Sequence, residues 1–86
     1  MKLELYTSAF CAPCHAARAV VAEAQALVPA LVVDEADVAA RADQAEARGI
    51  TSTPTMVALT DGGTEVFRAA GAPRLDQVLS ALALAV

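Results

Sequence analysis

The stretch Cys11-Ala12-Pro13-Cys14 is informative because it lies where an apolar strand gives way to a long helix. The strand covers Lys2 to Thr7, and the helix after it is rich in alanine and valine. Two cysteines three residues apart at a helix N-terminus face the same side, with Cα atoms near the separation that a disulfide needs. The sequence therefore predicts a cysteine pair that forms and opens a disulfide with little backbone movement.

The placement of the two cysteines also predicts which of them reacts first. Cys11 lies at the free N–H groups and the positive dipole end of the helix, which favour a thiolate over a thiol. Pro13 suits the first helical turn, because it lacks an N–H that would have no partner inside the helix there. We expect Cys11 to be the nucleophile and Cys14 to be the resolving thiol. The neighbours expected to support them are Phe10, Ala12, Pro13 and His15.

Composition limits the setting in which this pair works. The chain has 86 residues, 57% of them apolar, which fits one domain over residues 1–86 with one core. A net charge of −4, with Lys2 as the only lysine, argues against a nucleic-acid surface. No N-terminal region resembles a secretory signal, and no stretch approaches the about 18 apolar residues of a membrane span. We therefore expect a monomeric, cytoplasmic protein that binds neither nucleic acid nor membrane, in which a CxxC pair is catalytic or metal-binding.

Helix and strand patterns alternate over the first half of the chain. These apolar positions recur at helical spacing: Cys14, Ala17, Val20, Val21, Ala24, Leu27 and Val28. A second strand begins near Leu31. The residues that follow it, Asp34 to Val38, fit either a strand or a helix cap. A short alanine-rich helix is predicted over Ala39–Arg48. It is expected to end there because Gly49 is suited to the left-handed conformation that often follows a helix.

The second half reads as a hairpin and a final helix. Thr55–Thr60 and Glu65–Ala69 flank Asp61-Gly62-Gly63-Thr64, a turn sequence that predicts two antiparallel strands. Gly71-Ala72-Pro73 opens the last helix, with Pro73 suited to its first helical position. The apolar face of that helix is expected to be Leu75, Val78, Leu79 and Leu82. The predicted order of elements is therefore βαβαββα.

Three motifs occur here in a characteristic order. They are Phe10-Cys11-Ala12-Pro13-Cys14 between strand and helix, Thr53-Pro54-Thr55 after Gly49-Ile50, and Gly71 before the last helix. Over nearly the whole chain, this set resembles a small thioredoxin or glutaredoxin-like redoxin. The resemblance implies an α/β minimal thioredoxin fold: a four-stranded mixed sheet of order 2-1-3-4, with the first and last of three helices on one face. It also implies a cis peptide bond at Pro54, and a substrate-binding surface made by Thr53, Pro54 and Gly71.

Departures from the family bear on which branch the chain resembles. Thioredoxins usually carry Trp directly before the first cysteine and a buried Asp six residues before it, where this chain has Phe10 and Leu5. Glutaredoxins usually have Lys three residues before the first cysteine and Gly-Gly before the last helix, where this chain has Ser8 and Gly71-Ala72. The resemblance therefore implies a protein-disulfide reductase of the minimal thioredoxin type. Its electron donor is expected to be an NADPH-dependent flavoprotein of the thioredoxin-reductase kind.

Other interpretations of the cysteine pair stay open at this point. A glutathione-dependent glutaredoxin is the alternative within the family. Outside it, Cys11 to His15 also matches the haem c attachment pattern, and a CxxC pair can be half of a zinc site. No second CxxC or histidine pair supplies the remaining zinc ligands, and His15 is the only histidine. We expect a redox-active Cys11–Cys14 disulfide with no bound cofactor, and a solvated His15.

Overall fold

Strands and helices follow one another as the sequence predicts. The computed structural model describes all 86 residues. The elements are β1 Lys2–Thr7, α1 Ala12–Leu27, β2 Val32–Asp37, α2 Ala42–Ala47, β3 Thr55–Leu59, β4 Glu65–Ala70 and α3 Leu75–Ala83. The strands form one sheet of order β2-β1-β3-β4, in which β1 and β2 are parallel and the other neighbours antiparallel. The expected minimal thioredoxin fold and its 2-1-3-4 sheet are confirmed. No helix is long and apolar enough to cross a bilayer.

The sheet separates two apolar clusters. Successive side chains of a strand point to opposite faces, so Leu3 and Leu5 of β1 face one cluster and Tyr6 the other. The first cluster lies against α1 and α3 and contains Leu3, Leu5, Ala17, Val21, Ala24, Leu31, Met56, Ala58, Val78 and Leu82. The second cluster lies against α2 and contains Tyr6, Ala36, Ala45, Val57 and Leu59. Because α1 belongs to the first cluster, the helix that carries the cysteines packs on that face.

Helix α1 buries a stripe of small residues against the sheet. Its buried positions are Cys14, Ala17, Val21 and Ala24. The expectation that Leu27 continues this stripe is wrong, because its side chain is 61% exposed. Val28, four residues after Ala24, takes the next inward position and packs against the first cluster. The apolar stripe therefore ends with the turn that leads to β2.

The segment between β2 and α2 combines both structures that its sequence allows. Strand β2 continues to Asp37, whose carboxylate then accepts hydrogen bonds from the N–H groups of Ala39 (2.8 Å) and Ala40 (3.1 Å). These bonds hold a turn, so α2 begins only at Ala42 rather than at Ala39 as predicted. Gly49 ends the helix with φ +69°, as expected.

The start of α3 also differs from the sequence prediction. Pro73 does not occupy the first helical position, because the N-cap is Arg74 and the helix begins at Leu75. The Arg74 N–H donates to the side-chain oxygen of Gln77 at 2.9 Å, which satisfies the backbone at this end. The apolar face is as predicted: Val78 and Leu82 are buried, and Leu75 and Leu79 pack partly buried against the first cluster.

Candidate active site

A disulfide joins the two cysteines at the start of α1. The Cα atoms of Cys11 and Cys14 are 5.3 Å apart, within the usual range for a disulfide. Cys14 is only 2% exposed, whereas Cys11 is half-buried. The sequence prediction that this pair can form a disulfide is confirmed, and an incoming molecule meets Cys11 first.

The N-terminus of α1 provides the electrostatic environment of Cys11. Cys11 is the N-cap residue with an extended backbone, and Ala12 and Pro13 occupy the first helical turn. No acidic side chain lies in that turn, so nothing in it offsets the positive end of the helix dipole. Such a setting favours the thiolate form of a reduced cysteine, which is the nucleophilic form.

Phe10 presents an unsupported aromatic ring beside Cys11. Its backbone has φ +57°, a left-handed conformation that is costly for a bulky residue. Its side chain is fully exposed, so contacts within the chain do not compensate for that strain. The exposed ring beside Cys11 is therefore accessible to another molecule.

An open groove of about 510 Å³ lies over the disulfide. It is lined by Ser8, Phe10, Cys11, Ala12, Cys14, His15 and Arg18. Pro13 is exposed but does not line it. His15 is exposed, as expected of a solvated side chain. No group of three or more histidine, cysteine, aspartate or glutamate side chains is arranged to hold a metal ion.

Arg18, on the next turn of α1, ties the groove to the edge strand β2. Its guanidinium donates to both carboxylate oxygens of Glu35, at 2.7 and 2.8 Å, and the hydroxyl of Thr7 donates to Glu35 at 3.4 Å. The guanidinium holds the pKa of Glu35 below its ordinary value. The charge of Arg18 is thus matched within the chain rather than left free in the groove.

A second set of expected site residues lies on the loop before β3. The Thr53–Pro54 peptide bond is cis, as the resemblance implies, and Pro54 is buried. The Gly71 N–H donates to the Pro54 carbonyl at 2.8 Å, and Gly71 has φ +84°, which suits glycine. A hydrogen bond of 2.7 Å between the hydroxyls of Ser8 and Thr53 joins this loop to the groove. The predicted site residues therefore form two groups that meet at Ser8.

Comparison with known proteins agrees with the fold of this chain. The thioredoxin family model matches residues 3–83. The chain belongs to the thioredoxin family. A thioredoxin fold with an adjacent Cys11–Cys14 disulfide supports a thiol-disulfide oxidoreductase. No curated protein matches the chain by sequence.

Solved thioredoxin structures superpose on nearly the whole chain. Thioredoxin 1 from the thermophilic eubacterium Thermosipho africanus has a TM-score of 0.83 at 18% identity, covering 98% of this chain and 92% of its own. The oxidised thioredoxin from Plasmodium falciparum has a TM-score of 0.81 at 24% identity, covering 95% and 80%. Fasciola hepatica thioredoxin has a TM-score of 0.80 at 25% identity, covering 92% and 77%. These similarities support the thioredoxin fold of the chain.

The position where thioredoxins usually bury an aspartate is apolar in this chain. Leu5 is 1% exposed and belongs to the cluster under α1. The neighbouring residue Glu4 is instead the buried carboxylate, 3% exposed, and it accepts hydrogen bonds from Arg48 (2.8 and 3.3 Å) and from the Tyr6 hydroxyl (2.8 Å). Gln44 donates to the Tyr6 oxygen at 3.1 Å, and burial raises the pKa of Tyr6. This family member has therefore a buried carboxylate one residue away from the usual place.

Sequence reasoning missed this buried network and the Ser8–Thr53 bond. Glu4 sits between two leucines in β1, which is an interior strand covered on both faces. That combination was the available signal, because a charge on an interior strand needs a buried partner. Ser8 carried no comparable signal, since its partner Thr53 is 45 residues away in sequence.

Proposed function

We propose that this chain is a protein-disulfide reductase that works through a dithiol–disulfide cycle of Cys11 and Cys14. The observation that carries the proposal is the pairing of a half-buried Cys11 with a buried Cys14 at a helix N-terminus, beneath an open groove. The exposed ring of Phe10 supports it as an apolar contact for a protein substrate beside the reacting sulfur.

The cycle has two exchange steps that pass two electrons to the substrate. In the first, the Cys11 thiolate attacks one sulfur of the substrate disulfide, which forms a mixed disulfide and releases the other sulfur as a thiolate. In the second, Cys14 loses its proton and attacks the Cys11 sulfur. The Cys11–Cys14 disulfide forms, and the second substrate sulfur leaves as a thiolate. The substrate ends with two thiols, and the chain ends oxidised.

The proton of Cys14 leaves without the family's buried aspartate. Leu5 occupies that position, so the carboxylate that would accept the proton there is missing. Water, or the departing substrate thiolate, takes the proton in our proposal. A resolving step that depends on these acceptors is expected to be slower than one with a carboxylate base in place.

We further propose that an NADPH-dependent flavoprotein of the thioredoxin-reductase kind returns the electrons, in the cytoplasm, to a monomeric chain. Ser8 supports this choice, because it provides no cation at the position where glutaredoxins usually carry Lys. Arg74, just before α3, could replace that lysine, but its guanidinium is paired with Asp76 at 3.1 Å. An NADPH-consumption assay run with thioredoxin reductase, and in parallel with glutathione plus glutathione reductase, separates the two donors. Turnover only with glutathione would identify a glutaredoxin instead.

Insulin reduction tests the reaction itself. The wild type is expected to reduce insulin, Cys11→Ser to be inactive, and Cys14→Ser to accumulate a mixed disulfide with the substrate. Ser80→Ala, an exposed position on α3 away from the groove, is the matched control and is expected to behave as the wild type. Equal activity of wild type and Cys11→Ser contradicts the proposal. A stoichiometric metal ion or a Soret band in the purified protein would also contradict it.

A further inference from the structure

Two loops of the candidate site are joined by one pair of hydroxyl groups. The Ser8 and Thr53 side-chain oxygens are 2.7 Å apart, and either can donate the hydrogen bond. This is the one side-chain hydrogen bond between residues 8–11, which lead into the cysteines, and residues 51–54, which contain the cis peptide bond. Ser8 also lines the groove over the disulfide.

The other hydrogen bonds of the 51–54 loop do not reach the cysteines. The Gly71 N–H holds the Pro54 carbonyl, and the Thr55 hydroxyl donates to the Ser52 carbonyl at 2.7 Å. The pairing of β1 with β3 ends at Tyr6 and Thr55, so no ladder hydrogen bonds continue beyond these residues toward the groove. The buried Pro54 anchors this loop by packing, and the Ser8–Thr53 bond is the hydrogen bond that joins Thr53 to the segment leading into the cysteines.

The backbone of Thr53 is available to another molecule. Neither its N–H nor its carbonyl forms a backbone hydrogen bond within the chain. An extended substrate segment can pair with such free groups, as in other cases where a peptide adds a strand to a sheet. For the reaction, that segment must present its disulfide to Cys11 while it is paired at Thr53. The separation of the two loops then decides whether both contacts are made together.

We propose that Ser8 is a positioning residue for protein substrates, which acts by holding Thr53 at the separation from Cys11 that a paired substrate segment requires. The proposal rests on the proposed function, since it concerns the same site. Ser8 takes no part in the exchange of sulfurs. Its hydrogen bond orders the 51–54 loop relative to residues 8–11 before substrate binds. The entropy cost of ordering this loop therefore does not reduce the affinity for substrate.

A set of five variants tests this role. Ser8→Ala and Thr53→Val each remove one hydroxyl, and the double variant removes both. Thr53→Ser keeps the hydroxyl and loses only a methyl group, and Ser80→Ala controls for the loss of a serine hydroxyl elsewhere. For each protein, kcat and KM are measured with insulin, the rate is measured with dithiobisnitrobenzoate, a small disulfide that has no peptide backbone, and the reduction potential is measured by equilibration with dithiothreitol.

We expect each hydroxyl deletion to raise KM for insulin about fivefold, which corresponds to about 1 kcal/mol, one neutral hydrogen bond. The double variant should be no worse than either single variant, because both deletions remove the same bond. The rise with Thr53→Ser should be smaller than with Thr53→Val. The rate with the small disulfide and the reduction potential should change less than KM does.

Several results would overturn the role of Ser8. Unchanged KM in both single variants, with an active wild type, removes it while leaving the proposed function intact. Equal losses with insulin and with the small disulfide show damage to the cysteines instead of lost positioning, and additive losses in the double variant show two unrelated effects. If Ser8→Ala does not fold, Thr53→Val decides. A wild type that does not reduce insulin contradicts the proposed function, and the role of Ser8 falls with it.

Discussion

The two faces of the sheet bury different kinds of side chain. The face under α1 and α3 is apolar: Leu5 of β1 packs there with Ala17 and Ala24, two fully buried alanines of the helix that carries the disulfide. The face under α2 buries Glu4 together with Tyr6 and half-buried Arg48, all hydrogen-bonded. The buried charge therefore lies on the face away from the cysteine helix. The Glu4–Arg48 ion pair and the Cys11–Cys14 disulfide therefore lie on opposite faces of β1.

On the face under α2, the largest effect on stability is expected from breaking the buried ion pair. Arg48→Ala leaves the buried Glu4 with the Tyr6 hydroxyl at 2.8 Å and the half-exposed Lys2 ammonium at 3.9 Å, and should cost about 2–3 kcal/mol in the free energy of unfolding. We place it at or below the lower end of the range for buried pairs because Arg48 is 31% exposed. Insulin reduction by the folded fraction should be unchanged, because the pair lies on the other face. Denaturant unfolding and an activity assay check both.

Two comparisons make that result specific. Replacing both partners with leucine should recover much of the loss, because a well-packed apolar pair often equals a buried ion pair. Arg41→Ala, which removes an exposed partner of Asp34, should cost much less than Arg48→Ala, because exposed ion pairs are screened by solvent. Equal losses in the free energy of unfolding for Arg48→Ala and Arg41→Ala would show that burial does not make the Glu4–Arg48 pair more important than an exposed pair.

A carboxylate introduced on the apolar face should lower the stability of the fold and raise the rate of the resolving step. Leu5→Asp restores the residue that thioredoxins usually have, so the resolving step is expected to accelerate by about tenfold or more. It should also destabilise the fold by about 2–4 kcal/mol, because the new carboxylate is buried among apolar groups. Stopped-flow decay of the mixed disulfide and denaturant unfolding measure the two effects.

Leu3→Asp is the matched control for that substitution. Leu3 is as buried as Leu5, on the same face of β1, but it lies one step further from the cysteines. It should lower stability to a similar extent and leave the resolving rate unchanged. An equal acceleration by both variants would show that the effect comes from loosened packing and does not depend on a base near Cys14.

Phe10 tests whether the groove side of the molecule is built for contact with a partner. Phe10→Gly relieves the left-handed backbone strain and should raise the free energy of unfolding by about 0.5–1 kcal/mol, the strain relief less the added flexibility of the unfolded chain. It should also raise KM for insulin, because the exposed ring is lost. Phe10→Ala should raise KM similarly without the stability gain. A lower KM in either variant would argue against substrate contact.

The smallest expected effect is the response of the edge strand β2 to acid. Arg41 and Arg18 donate to Asp34 and Glu35 and hold the pKa of each carboxyl below its ordinary value of about 4. The unfolded chain then binds protons more readily than the folded one. The stabilisation is therefore complete above the ordinary pKa and is lost as pH falls through the folded pKa.

Denaturant unfolding between about pH 6 and pH 2 measures this loss. Arg18→Gln and Arg41→Gln remove the charged partners, so both should show a shallower fall in stability with acid than the wild type. Added salt should reduce the difference, because both pairs are partly exposed and are screened by solvent. A steeper fall in the glutamine variants would contradict the assigned cause.

Local sequence determined much of the fold and the centre of the site. Strand β1, the cysteine pair at the start of α1, the left-handed Gly49 and the glycine turn before β4 were all predictable, because each depends on residues within a few positions. The helix bounds were less so. Asp37 shortens α2 and Gln77 shifts the start of α3, through side-chain hydrogen bonds that compete with the helical pattern.

The contacts between distant polar groups follow from the packing of the whole fold. The cysteine pair and its disulfide follow from a three-residue spacing, whereas Ser8 meets Thr53 and Glu4 meets Arg48 across more than forty positions. Such pairs exist because β1 lies inside the sheet, where both its faces and the loop at its end are covered by distant parts of the chain. The periodicity of a strand or helix shows which side chains face inward. Which hydrogen-bond partner such a side chain finds depends on which other elements pack against it.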